Sequence, residues 1–209
     1  MATDYHIPLL PDNIYHLFNH AIGKEKLFTS EENYLYFLRK YAEHVKNVCD
    51  TYCYCLLPNH FHFLIRIKDE NAITAHFKII KKKESPAFDN EVISDFIMER
   101  FSNWLNGYTK AFNKLNGRKG ALFIDYTKRS LIDKDKSFSK LIHYIHVNPI
   151  HHGLIKQINK WKYSSYNSIL SNGKTLLLRD EVLEWFGGRD EFIKFHQQPV
   201  NLKFSSSLE

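Results

Sequence analysis

Leu56-Leu57-Pro58-Asn59-His60-Phe61-His62-Phe63-Leu64-Ile65-Arg66-Ile67 is the stretch from which the fold is read. Around His62 and beyond it apolar residues dominate, with β-branched Ile65 and Ile67, which predicts a buried strand. Side chains two apart on a strand share a face, so His60 and His62 stand side by side with Phe61 on the reverse. Two imidazoles in that arrangement can grip one divalent cation or one phosphate. The plainer reading is a pair of hydrogen-bonded histidines within a sheet. Pro58-Asn59 is a turn signature. With the apolar run Tyr52 to Leu57 before it, the stretch becomes an antiparallel hairpin carrying the His pair on its second strand.

Upstream, Ile14 to Ala21 alternates enough for a first strand, and Gly23-Lys24 turns the chain. Thr29-x-x-Glu32 reads as a capping box ahead of an amphipathic helix with Tyr34, Leu38, Tyr41, Val45 and Val48 on one side. Downstream, the signal fades from Asp69 to Asn90, where Lys81-Lys82-Lys83 and Ser85-Pro86 suggest an exposed loop. A long helix is predicted from about Glu91 to Leu115, carrying Ile97, Phe101, Trp104, Tyr108 and Phe112 and closed by Asn116-Gly117. Arg118-Lys119-Gly120 links it to two extended pieces, Ala121 to Ile124 and Arg129 to Ile132.

The next helix is expected to be capped by Ser137, with Phe138, Leu141, Ile142 and Ile145 as its core stripe. It should end near Asn148, because Pro149 biases the preceding residue away from helical geometry. Tyr144 and Asn148, four apart, lie one turn above the other beside that stripe. The plain alternative is a boundary tyrosine and a capping asparagine. Trp161 to Tyr166 is expected to start a further helix, and two short helices follow Ser171. The order strand, helix, two strands, helix, strand, helix fits an α+β fold: a split βαβ (ferredoxin/RRM-like) antiparallel sheet with helices on one face. Residues 1–170 would form that domain and 171–209 a helical C-terminal extension.

Within 209 residues, 44% hydrophobic and 15% aromatic content supply a packed core. The formal net charge of +6 favours an anionic partner, nucleic acid first. Three cysteines, Cys49, Cys53 and Cys55, form no Cys-x-x-Cys pair and argue against a disulfide framework. A zinc site from Cys53, Cys55, His60 and His62 competes with the simpler reading of the cysteines as small hydrophobes in a strand. No signal peptide or membrane-length apolar run is found, so a cytoplasmic protein without a membrane partner is the expectation.

Three passages in order resemble the single-tyrosine HUH transposases, and among them the REP-associated tyrosine transposases. They are Tyr54 to His62, Arg118 to Phe123, and Tyr144-Ile145-His146-Val147-Asn148-Pro149 followed by Gly153-Leu154. Trp161-Lys162-Tyr163-Ser164-Ser165-Tyr166 is similar to the family's aromatic-Ser-Ser-Tyr stretch. The resemblance implies that His60, His62 and Asn148 hold Mg²⁺ or Mn²⁺ and that Tyr144 is the nucleophile. It implies cleavage of single-stranded DNA beside a hairpin, through a 5′-phosphotyrosine that leaves a free 3′-OH. Asn19-His20-Ala21 departs from the family's usual Asn-Arg-Gly, and so does Ile124-Asp125-Tyr126-Thr127-Lys128-Arg129 from its aromatic and basic run. Arg118 and Lys119 are the foremost candidates for phosphate contact, with Arg66, Lys128 and Arg129 behind them. Two other readings stand beside this one: a catalytically idle regulator that binds DNA or RNA hairpins, and a replication or plasmid-transfer initiator, for which the chain lacks room. A monomer and a homodimer both fit.

Overall fold

The hairpin forms where the turn signature placed it. In a computed structural model, which describes residues 6–82, 89–124 and 127–199 and only the backbone of 134–136, β2 (Cys49–Leu57) and β3 (His60–Ile67) pair antiparallel around Pro58-Asn59. β1 (Ile14–His20) lies on the other side of β3, and β4 (Lys128–Leu131) pairs with β1, giving the order β2-β3-β1-β4, all antiparallel neighbours. Strands β1 and β2 both run against β3, so they are parallel to each other with β3 inserted between them. This is the split βαβ arrangement, with α1 (Glu31–Val45) as its crossover. A bulge between Thr51 and Cys53 adds Tyr52 to β2. Of the two extended pieces expected after Arg118, Phe123 makes only a single bridge with Ala21.

The α+β class and the antiparallel sheet are as the sequence implied, but the helices do not keep to one face. α1 and α3 (Asn90–Leu115) cover the face formed by Phe61, Phe63, Ile65 and Ile67, with Trp104 fully buried among them. The opposite face, with Leu57, Cys55 and Leu64, is covered by α4 (Lys134–His151), α5 (Tyr166–Leu170), α6 (Arg179–Phe186) and α7 (Arg189–His196). A strand that is apolar at almost every position must be roofed on both sides. The run His60 to Ile67 carried that signal. Gly187 and Gly188, at φ 84° and 116°, make the turn joining α6 to α7, in a region that side chains disfavour. Val182 and Phe192 thereby reach the core beneath the sheet.

Several boundaries differ from expectation for identifiable reasons. Residues 70–81, where the sequence signal fades, form α2, which opens on the Asp69 carboxylate accepting from Ala72 N at 3.0 Å. Lys83, Ser85 and Pro86 lie outside the described residues, as do Asp125 and Tyr126. The N-cap of α1 is Ser30, one residue after Thr29. It is Asn33 rather than Glu32 that reaches back, its Oδ1 accepting from Thr29 N (3.0 Å) and Ser30 N (3.2 Å). Helix α4 begins at Lys134, before Ser137, and continues past Pro149 to His151. His152 N and Leu154 N still donate to the carbonyls of Asn148 and Pro149, so the last turn is closed without the proline's missing N–H.

Trp161 to Ser165 is a turn with one bridge to β2 rather than the start of a helix, and α5 begins only at Tyr166. Leu56 N donates to Tyr163 O and Ser165 N to Tyr54 O, so the segment pairs with the outer edge of β2. Leu178 N donates to Thr51 O further along the same edge. An edge strand that would otherwise expose its amides is thus covered. Among the described residues, no helix is long and apolar enough to cross a membrane.

Candidate active site

Strand pleat and helix pitch are nearly commensurate here. Residues two apart on a strand are separated by about 6.8 Å, and residues four apart on a helix by about 6 Å. Helix α4 crosses the lower face of β3 in the opposite sense, so His62 meets Tyr144 and His60 meets Asn148. The His62 and Tyr144 ring centroids are 5.6 Å apart, edge to face. The His60 and His62 rings stand 5.2 Å apart at 89°. All four groups predicted from the sequence are therefore gathered, and all are buried: His60 2%, His62 0%, Tyr144 1% and Asn148 0% exposed.

Burial decides the electrostatics. Desolvation holds His60 at a pKa of about 3, with His20 and His152 adding to the effect and Asn148 opposing it. His62 is pushed well below its ordinary value, first by burial and then by His16, His60, His20 and His152. Both imidazoles are neutral near pH 7, the form whose lone pair can bind a metal. Asn148 lies close enough to His60 to raise its pKa, yet Nε2 of His60, Nε2 of His62, and both Oδ1 and Nδ2 of Asn148 are buried with no hydrogen bond of proper geometry. Buried polar atoms in native proteins are normally satisfied. Three of the four, the two imidazole Nε2 atoms and the amide Oδ1, are lone-pair atoms of the kind that hold a cation. Two imidazole nitrogens and an amide oxygen fit Mn²⁺, and Mg²⁺ less tightly because it prefers oxygen.

The zinc alternative fails on the same geometry. Cys55 lies opposite His62 in the β2–β3 register, but among the described residues no three His, Cys, Asp or Glu side chains converge to hold a metal. Burial raises the thiols of Cys53 and Cys55 well above their ordinary pKa, which keeps them protonated.

Three histidines that the motif reading did not assign surround the pair. His16, on β1, has its Nε2 3.0 Å from His62 Nδ1. His20 stacks on His60 at 4.6 Å, and His152 meets the other side of His60 at 4.8 Å. Alternation places Ile14, His16, Phe18 and His20 on one face of β1, and His152 is one turn beyond Asn148. The missing information was that β1 pairs directly with β3. His146 points away, to His196 Nε2 at 3.0 Å and Ser165 Oγ at 2.8 Å.

The basic candidates are scattered. Arg66 is held by Glu181 at 3.0 Å and Asp50 at 3.6 Å and lies over the Tyr52 ring. Arg118 binds Glu25 (3.1 Å), Asn113 Oδ1 (2.9 Å) and the Ala121 carbonyl (2.7 Å), stapling the link between α3 and the following segment. Arg129 is buried, donating to the carbonyls of His6 and Ile7. Lys119 is exposed. Lys128 lies beside the site, its Nζ 5.8 Å from the centroid of Phe18, whose ring is 6.0 Å from that of His62.

A paired-imidazole strand facing a helix that offers a phenol and a carboxamide is the arrangement that the sequence resemblance implied. No protein-family model matches the chain. A curated protein of Haemophilus influenzae, whose name places it among the REP-associated tyrosine transposases, is 23% identical over 139 residues, spanning 63% of this chain and 69% of its own length. The solved structure of a REP-associated tyrosine transposase bound to a REP hairpin matches with a TM-score of 0.55 at 15% identity, over 84% of this chain and 90% of that one. The resemblance read from the motifs, to the single-tyrosine HUH transposases and among them the REP-associated group, is borne out by the name of the curated relative, and the solved structure shares the fold.

Proposed function

We propose that the chain is a metal-dependent transposase that nicks and joins single-stranded DNA at hairpin-flanked sites, with Tyr144 as nucleophile and His60, His62 and Asn148 as ligands of Mg²⁺ or Mn²⁺. One observation carries this reading: the buried, unpartnered Nε2 atoms of His60 and His62 on β3 face helix α4, which presents the equally unpartnered Asn148 amide and, beside it, Tyr144. The names of the two relatives and the hairpin in one of them support the same class of substrate.

A phosphodiester repels nucleophiles through its charge. A divalent cation in the site supplies the polarisation of its non-bridging oxygens. The side chains do the rest. His60, His62 and Asn148 leave positions open for the phosphate. Tyr144 Oη forms a bond to phosphorus, the bond from phosphorus to the 3′ oxygen breaks, and that oxygen leaves as a 3′-OH. A free phenol is protonated near pH 7, so the proton is lost as the new bond forms, and the leaving 3′ oxygen takes one up, which keeps the step balanced. The phosphotyrosine retains one phosphodiester linkage for each one broken, so attack by a 3′-OH reverses the step and joins strands without a nucleotide cofactor.

The test is an adduct assay. Wild-type protein with Mn²⁺ and a panel of single-stranded hairpin DNAs should give a denaturation-resistant protein–DNA species, lost with a chelator and with Tyr144→Phe. No adduct on any hairpin, or an undiminished adduct from Tyr144→Phe, refutes the reading. The near-complete burial of Tyr144 and Asn148 favours one rival, a hairpin-binding regulator that does not cut. Its signature would be hairpin binding that persists in chelator while cleavage is absent under all conditions.

A further inference from the structure

We infer that His16 is a positioning residue for the metal centre: its Nε2 accepts the Nδ1–H of His62 and so leaves the Nε2 lone pair of His62 bare toward the ion. The inference rests on the metal-site reading above.

One proton lies between the two rings, whose facing nitrogens are 3.0 Å apart. If His16 supplies it, neutral His62 must carry its own proton on Nε2, and an N–H cannot ligate. If His62 supplies it, Nε2 of His62 is bare and His16 is protonated on Nδ1. Nδ1 of His16 is buried without a partner, so nothing on the far side of His16 selects between these forms. A cation selects, because only the second form gives it a lone pair.

His60 is prepared in the same way by a different neighbour. Its Nδ1 is 2.9 Å from Oδ1 of Asn59, an oxygen that can only accept, which places the proton on Nδ1 and leaves Nε2 bare. Each imidazole thus has its own partner on Nδ1, one from the turn and one from the adjacent strand. The β1–β3 register makes this possible. Phe18 faces His62 and His16 faces Leu64, so His16 reaches His62 on the diagonal. Phe18 stacks on His16 at 4.9 Å, and the His16 and His62 rings are 13° from parallel. A hydrogen bond on the far nitrogen of a ligating imidazole fixes its tautomer and orientation and raises its basicity. Using an imidazole rather than a carboxylate does this without burying another charge.

The experiment uses the full chain with Zn²⁺ as a diamagnetic probe. Long-range ¹H–¹⁵N spectra of histidine-labelled wild-type protein should show His62 protonated at Nδ1 and ligating through Nε2. Calorimetric Zn²⁺ and Mn²⁺ affinities should fall about 10–100-fold in His16→Phe, which keeps a ring but cannot accept. His16→Gln, whose amide oxygen can accept, should recover a large part of that loss. His62 protonated at Nε2 in the loaded protein, wild-type affinity in His16→Phe, or a His16→Gln no better than His16→Phe would each overturn the inference while the metal site stands. Wild-type protein that binds neither ion removes the metal reading and this role with it. Should His16→Phe fail to fold, the wild-type spectra and His16→Gln decide.

Discussion

Lowering the pH from 7 to 5 should destabilise this protein steeply, and the size of the effect follows from its buried histidines. His16, His60 and His196 are each held by burial at a pKa of about 3. In the unfolded chain each returns to about 6.5. Between those values the unfolded state binds more protons than the folded state, so stability is complete above about pH 6.5 and is lost as the pH falls through the window. Each group contributes a slope of about 1.4 kcal/mol per pH unit, so the three together give roughly 4 kcal/mol per unit. By pH 5 the sum is about 6 kcal/mol, comparable with the whole stability of an ordinary domain at about 5–15 kcal/mol. His62 and His146, shifted in the same direction, steepen it. Urea unfolding followed by circular dichroism at pH 7, 6 and 5 measures the slope, and His196→Phe should lower it by about one proton's worth. A free energy of unfolding that is flat from pH 7 to 5 would refute the reasoning, since it would mean that these imidazoles are hydrated and titrate normally. The functional corollary is that protons do not compete with a metal for His60 and His62 until the fold itself yields.

Asn148→Asp should tighten Mg²⁺ binding relative to Mn²⁺ by adding a hard, charged oxygen, as read by calorimetry; an unchanged preference would remove Asn148 from the ligand set. Ser165→Ala removes the hydroxyl that accepts from Tyr54 N at 2.9 Å and lies 2.8 Å from His146 Nε2. It should cost about 1–3 kcal/mol, and at roughly 2–4 °C per kcal/mol the fall in Tm should show in a calorimetric scan. Lys119→Ala and Lys128→Ala should each weaken hairpin binding regardless of sequence and reduce the salt slope by about 0.9, one phosphate contact. Arg118→Ala, which loses its three partners in the link after α3, should show more in thermal stability than in that slope.

Local chemistry made much of this legible. The hairpin came from Pro58-Asn59 between two apolar runs, and the length of α3 from its stripe and the Asn116-Gly117 stop. His60 with His62 and Tyr144 with Asn148 were each paired by spacing alone, because strand and helix periods act on near neighbours. The apolar density of β3 also held the sign that both faces are covered, which the element order obscured. The α2 helix is faint in the sequence because its stripe is short, with only Ile73 and Phe77 buried. The bridge of Tyr163 to Ser165 with β2 is not legible locally, because it depends on a partner more than a hundred residues away.

By itself, the sequence determined which atoms could do chemistry: two imidazoles on one strand face, and a phenol and an amide on one helix face. Only the tertiary structure decided that the two faces meet, that His16 and Asn59 back the two imidazoles, and that Arg66, Arg118 and Arg129 are tied into the scaffold. The reason is physical. Periodicity sets the direction in which a side chain points, whereas its partners, protonation and exposure are set by whatever the chain brings opposite it.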